Sequence, residues 1–222
     1  MKLFRKWKSL PYSILIIAAL VSACRGPEVK ESDKDMPATL VSLRHAADEK
    51  YVLDTKESVV TWKGSMHFVP QNAHVGYAYL SNGELMIEKD QLVGGTVEVD
   101  MNTLADKEHG SDNDLIYHLK SPDFFDVKKF PTSTFTITKV ESANDGNIKV
   151  TGDLVIKRIT HAVTFPAKTE VNAGVFSANG KMTIDRTKWD IRYGSGKFFD
   201  NLKDETISDD IELDLKVVAR KK

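Results

Sequence analysis

The residues of this chain that could do chemistry are few and poorly grouped. Six histidines are present, His45, His67, His74, His109, His118 and His161. No two have the His-Glu-x-x-His spacing that sets both imidazoles on one helix face around zinc, and a single cysteine, Cys24, exists to join a metal site. His67 and His74 would meet only across a hairpin, and with no third ligand they read as polar-face residues. Ser195 is flanked by Gly194 and Gly196 but lacks the Gly-x-Ser-x-Gly frame of a nucleophile elbow. No glycine loop of the phosphate-binding kind appears. Among the carboxylates, Asp185 beside Arg186 is the best catalytic candidate, because a catalytic pair needs one member in an apolar setting. An ion pair that keeps a charge buried in a sheet is the plainer reading. The inventory favours binding over catalysis, with no metal and no cofactor.

Cys24 matters by its position. Met1–Lys8 is basic through Lys2, Arg5, Lys6 and Lys8, Leu10–Val21 is an apolar run, and Val21-Ser22-Ala23-Cys24 closes it with small residues. That order is an export signal. The run falls short of the roughly 20 apolar residues needed to span a bilayer. Val-Ser-Ala-Cys resembles the bacterial lipobox, in which the thiol takes a diacylglyceryl group and cleavage makes the cysteine the new N-terminus. The expectation is a lipoprotein signal peptide over residues 1–23, a lipidated (palmitate-bearing) N-terminus and tether over 24–49, and a folded domain over 50–222. Two or more acyl chains hold a protein stably on a membrane. Arg25 is not the aspartate that favours inner-membrane retention in enteric bacteria, which points to the periplasmic face of the outer membrane. Arg25–Glu49 contains Pro27 and Pro37 and shows no sustained period. As a flexible linker it would span about 25–30 Å.

The 222 residues suit one domain with appendages. The formal charge of −1 hides an asymmetry, since residues 1–23 contribute +4 and leave 27 basic against 32 acidic residues in the rest. A mildly acidic mature protein lacks the basic footprint of a nucleic-acid binder.

The elements that must position any site have period two. Val60, Trp62, Met66 and Phe68 share one parity against Thr61, Lys63, Ser65 and His67. Val97, Val99 and Met101 alternate with Glu98 and Asp100, and Phe135 and Ile137 with Thr134, Thr136 and Thr138. Ile211, Leu213, Leu215 and Val217 alternate with Glu212, Asp214 and Lys216. Such alternation marks strands with one dry face, and its recurrence favours one antiparallel system. Asn82-Gly83 and Asp145-Gly146 are predicted hairpin turns, Asn172-Ala173-Gly174 is a looser candidate, and Asn179-Gly180 is ambiguous. Gly94-Gly95 suits a bulge or bend. Ser111-Asp112-Asn113-Asp114, followed by Leu115, Ile116 and Leu119 and stopped by Pro122, predicts a short helix over about 112–120 that crosses one mouth of a barrel. About ten strands must hide their apolar faces in a sandwich or a closed barrel, and this pattern alone does not say whether the interior is filled. On that pattern Trp62, Phe135, Phe165 and Trp189 read as core.

Residues 118–135, His-Leu-Lys-Ser-Pro-Asp-Phe-Phe-Asp-Val-Lys-Lys-Phe-Pro-Thr-Ser-Thr-Phe, resemble the signature of the YceI-like family of exported bacterial proteins. Gly152–Phe165, Asp185–Gly194 and Ile207–Leu213 are similar to further family segments in the right order, so the resemblance covers about Tyr51–Ala219. It implies a lipocalin-like antiparallel β-barrel, with a short helix at one mouth, that holds an isoprenoid lipid or quinone tail in its lumen. The lumen candidates are then Trp62, Phe68, Leu119, Phe125, Phe135, Ile137, Phe165, Ile184 and Trp189, with Phe124-Phe125 near the mouth. The sequence departs from the family at Asp190, where a glycine usually follows the aromatic residue and would permit a backbone that aspartate resists. The leading expectation is a membrane-anchored, non-catalytic carrier of an apolar isoprenoid-type lipid. Its rivals are an enzyme on the same scaffold using His118 or Asp185, and an envelope interaction protein with a packed barrel.

Overall fold

A computed structural model describes residues 49–66, 73–143 and 146–222. Cys24, the tether up to residue 48, His67, Phe68 and Asp145 lie outside the described residues. The strands are β1 (Glu49–Leu53), β2 (Val59–Gly64), β3 (His74–Glu88), β4 (Gln91–Asp100), β5 (Ala105–Asp106), β6 (Thr132–Ser142), β7 (Asn147–Ile156), β8 (Ile159–Asn172), β9 (Val175–Asp185) and β10 (Asp210–Lys221). One helix, α1 (Asp114–Lys120), interrupts them between β5 and β6.

All pairings between strands are antiparallel, and the path β10-β2-β3-β4-β6-β7-β8-β9 returns to β10 through the β9–β10 ladder. The result is a closed eight-stranded barrel with no free edge in its wall. β1 and β2 share one wall position, since each pairs with both β10 and β3 on either side of the Asp54–Ser58 turn. Ser58 closes that break, its buried hydroxyl donating to the Val218 carbonyl and accepting the Val218 N–H.

Asn82-Gly83 does not turn the chain. It sits inside β3, just past a register shift between Leu80 and Asn82. The extra residue there, Ser81, flips the inward parity from Ala78 and Leu80 to Leu85 and Ile87, all buried. The hairpin comes later, at Lys89-Asp90, with φ of 50° and 63°. Lys157-Arg158 joins β7 to β8 with the same conformation, and Ala173-Gly174 joins β8 to β9. Asn179-Gly180 lies within the single strand β9. A bulge at Val93 sits next to Gly94-Gly95, as that glycine pair suggested, and again switches parity, from Leu92 to Val97 and Val99.

The helix starts two residues later than predicted, because Asn113 is the cap. Its side chain accepts the Ile116 N–H. Ser121 ends the helix, ahead of Pro122.

Tracing the strands end to end distinguishes two barrel ends. One, the floor, carries the 89–90 and 173–174 turns, and Tyr51, Leu85, Ile87, Phe176 and Ala219 are buried above it. The other, the mouth, receives the long excursions 101–131, which includes α1, and 186–209.

Candidate functional site

The inward parity of the wall strands surrounds a cavity of about 660 Å³. Its lining runs from Leu85, Val150 and Phe176 near the floor, past Val97, Leu154, Met182, Leu213 and Leu215, to Leu115, Leu119, Tyr193 and Phe199 at the mouth. The lining is mainly apolar, and its polar side chains, among them His74, His118, Arg186, Tyr193 and Glu205, stand mainly toward the mouth. The volume falls within the roughly 300–1,000 Å³ of small-molecule sites, and this barrel is not filled by its own side chains.

Of the residues singled out from sequence, Trp62, Leu119, Phe125, Phe135, Ile137, Phe165 and Ile184 all line this lumen. Phe68 lies outside the described residues. Trp189 is a correction, because it does not face the lumen. It sits in the 3-10 turn Arg186–Trp189, off the alternating strands, so strand parity does not govern it. Its indole N–H donates to the Leu154 carbonyl at 3.2 Å, and His161 stacks edge-on at 5.1 Å. Trp189 thus seals the wall seam beside β7.

Three glycines explain how large rings share a lumen with free volume. The rings of Trp62, Phe135 and Phe165 lie over Gly76, Gly152 and Gly180 on neighbouring strands, where an added Cβ would stand 2.2, 2.5 and 3.0 Å from the ring atoms. A ring that rests on a glycine lies along the wall instead of across the bore. Sequence reasoning missed these pairs, along with Leu85, Val150, Leu154 and Phe176. The period-two pattern of Val150, Gly152, Leu154 and Ile156 was their available signal.

At the mouth, Arg186 is almost wholly buried and acts as a hub. Its guanidinium donates to the carbonyls of Ser208 (2.9 Å), Ile191 and Tyr193 (2.8 Å each) and Ile207 (3.2 Å), and it faces Asp209 at 3.5 Å. Burial pushes the guanidinium down, and the Asp209 and Asp185 carboxylates oppose that shift. Asp185 is not its direct ion-pair partner. That carboxylate meets the Lys197 ammonium at 2.8 Å and accepts both Thr187 donors. Burial would raise the Asp185 carboxyl, but Lys197 and Thr187 outweigh it and hold it at about 2.

His118 lines the mouth, with Tyr193 and Phe124 rings at 4.6 and 5.0 Å and the Asp123 carboxylate at 4.0 Å. Asp185 does not line the lumen, so the two catalytic candidates are not brought together there. His74 and His109 both approach the buried Asp106, at 3.8 and 3.0 Å. Among the described residues, no group of three or more His, Cys, Asp or Glu side chains could hold a metal ion. Asp190 adopts φ 58° and ψ 35°, the left-handed conformation a glycine would take. Its carboxylate bonds Arg192 at 2.8 Å and its carbonyl accepts Lys157 at 2.9 Å, so the departure from glycine leaves the turn intact.

A closed eight-stranded antiparallel barrel with an apolar lumen and a helix at its mouth defines the lipocalin-like class. The YceI-like domain matches residues 51–219, and the chain belongs to that family. A UPF0312 protein of Vibrio vulnificus is 32% identical over 130 residues, 56% of this chain and 64% of that protein. This chain therefore spans just under two thirds of that relative. Crystalline BcnA of Burkholderia cenocepacia shares the fold at 20% identity with a TM-score of 0.59, covering 75% of this chain and 99% of BcnA. A domain of Saccharophagus degradans described as polyisoprenoid binding, and implicated in plant cell wall breakdown, matches at 12% identity with a TM-score of 0.54, covering 78% and 98%.

Proposed function

We propose that this chain is an extracytoplasmic lipoprotein that holds an apolar isoprenoid-type lipid, such as a quinone tail, in the barrel lumen without transforming it. One observation carries the reading, namely the apolar bore of about 660 Å³ that runs from the floor to the mouth. A branched hydrocarbon chain needs no polar partners there, and each methylene withdrawn from water is worth about 0.8 kcal/mol before ordering costs. The polar side chains toward the mouth suit a ligand whose tail enters first. The fold-level likeness to a polyisoprenoid binding domain supports the same reading.

Anchoring completes the proposal. The basic start, apolar run and Val-Ser-Ala-Cys24 ending support cleavage before Cys24 and its lipidation, with the barrel tethered on the periplasmic face of the outer membrane. Organic extraction of the purified mature protein, followed by mass spectrometry, tests the ligand. An isoprenoid lipid near one per chain is expected. Absence of any apolar ligand, together with no uptake of added quinone, overturns the reading. Replacing Cys24 with serine is expected to move the protein from the membrane to the soluble fraction.

A further inference from the structure

The mouth carries an apolar surface that the lumen itself does not account for. Nine large hydrophobic residues are exposed among the described ones, and five of them, Met66, Tyr117, Tyr193, Phe198 and Phe199, gather at this one end, with exposures from 36% (Met66) to 60% (Tyr117). Their shared location follows from the chain's own contacts. Met66 bridges to Ile207, whose N–H bonds the Gly194 carbonyl. Phe198 and Phe199 fold back on Ser195 through backbone bonds, and Tyr193 stacks on His118, the neighbour of Tyr117 in α1.

We infer that this rim docks on the surface of a lipid bilayer, placing the lumen mouth directly against the hydrocarbon. Three rim residues, Met66, Tyr193 and Phe199, also line the lumen, so the rim and the bore form one continuous apolar surface. A protein partner seated on the rim would cap that surface, whereas a bilayer extends it. Tyrosine and phenylalanine are also among the side chains that partition into the interfacial zone.

Charge specifies the kind of bilayer. Two cations beside the aromatic rim are spent locally: Lys197 bonds Asp185 at 2.8 Å and Asp209 at 3.1 Å, and Arg192 bonds Asp190 while lying 4.7 Å over the Phe198 ring. Over residues 101–131 and 186–209 together, acids outnumber bases by 11 to 9. The Tyr117 hydroxyl donates to Asp112. Lys203 is offset by the exposed Asp200 and Glu205. Docking therefore proceeds by insertion of side chains, needs no anionic lipid, and resists salt.

This inference takes its motive from the ligand reading, yet its test is separate. Cys24 is the only cysteine in the chain, so the full chain with Cys24→Ser accepts one environment-sensitive thiol label. One sample carries the label at Phe198→Cys, on the rim. The other carries it at Gln91→Cys, exposed at the floor end. With vesicles of phosphatidylcholine alone, the rim label should shift to the blue and gain protection from an aqueous quencher, the floor label should do neither, and 0.5 M salt should change the response less than twofold. In the Cys24→Ser chain with a label on Tyr117→Cys, adding Phe198→Asp, at two positions that do not line the lumen, should weaken the apparent partitioning at that label at least tenfold. A rim label indifferent to these vesicles overturns the inference. So does a response equal at both ends, or one that requires anionic lipid. Extraction of the same samples reads lumen content independently, so a loaded barrel that ignores vesicles refutes docking alone, and a docking barrel without lipid refutes the ligand reading alone.

Discussion

The floor and the mouth of this barrel are built from the same strands and to opposite ends. The floor spends no residues it does not need. Lys89-Asp90 and Ala173-Gly174 turn the chain in two residues each, and Tyr51, Ile87, Phe176 and Ala219 are buried at 1% exposure or less. The mouth spends two long excursions, one carrying a helix, exposes five large apolar side chains, and depends on Arg186 to hold its backbone carbonyls. Stability concentrates where loops are short and burial complete, and binding where the chain is long and partly exposed.

That contrast breaks most visibly at the floor. Phe176→Ala is expected to cost about 3–5 kcal/mol in urea denaturation, because a fully buried ring is lost from the packed floor end of the lumen. Phe199→Ala at the mouth should cost under about 1 kcal/mol and act on ligand uptake instead. Equal costs would dissolve the distinction.

Arg186→Met comes next. It strands four carbonyls and the Asp209 carboxylate, and a loss of about 3 kcal/mol is expected. Amide exchange should accelerate chiefly over residues 186–209, and exchange that quickens equally in β1 and β4 would show that the hub does not act locally.

Asp185→Asn tests the same region through pH. The folded carboxyl sits at about 2, below its usual 3.8, so the unfolded chain takes up the proton first. The stabilisation is therefore complete above about pH 4 and fades as the pH falls toward 2. Near neutrality the variant should lose about 2 kcal/mol, with the gap to the parent closing in acid. A gap that does not change with pH would assign the loss to packing.

The smallest effect is expected at Asp190→Gly. Relief of the left-handed backbone and loss of the Arg192 contact offset each other, so stability should change by under about 1 kcal/mol. A larger loss would make the Asp190–Arg192 pair part of the mouth's support.

Much of the barrel was legible because strand parity is a local signal. Val97, Val99, Phe135, Ile137, Ile211, Leu213, Leu215 and Val217 all face the lumen, as their alternation with polar neighbours requires. Asn82-Gly83 misled because a single bulged residue, Ser81, reverses parity within one strand, and a dipeptide preference carries no information about the partner strand. The true turns at Lys89-Asp90 and Lys157-Arg158 use non-glycine residues at positive φ, so they lacked the expected signature. Trp189 was misplaced since period two stops where a strand ends. The pairing of Phe165 with Gly180, or Phe135 with Gly152, depends on register between strands, which no single strand encodes. The family resemblance supplied what parity could not, that the interior would be a bore.

That bore is the central claim, and filling it is the direct test. Ala178 lines the lumen just above the floor, so Ala178→Phe should crowd it while leaving the outer wall unchanged. Mass spectrometry of organic extracts from parent and variant, each checked for a cooperative unfolding transition, should find an isoprenoid-type lipid near one per chain in the parent and at least tenfold less in the folded variant. A parent that carries no apolar ligand and takes up none, or a folded variant that keeps its full complement, would contradict the account.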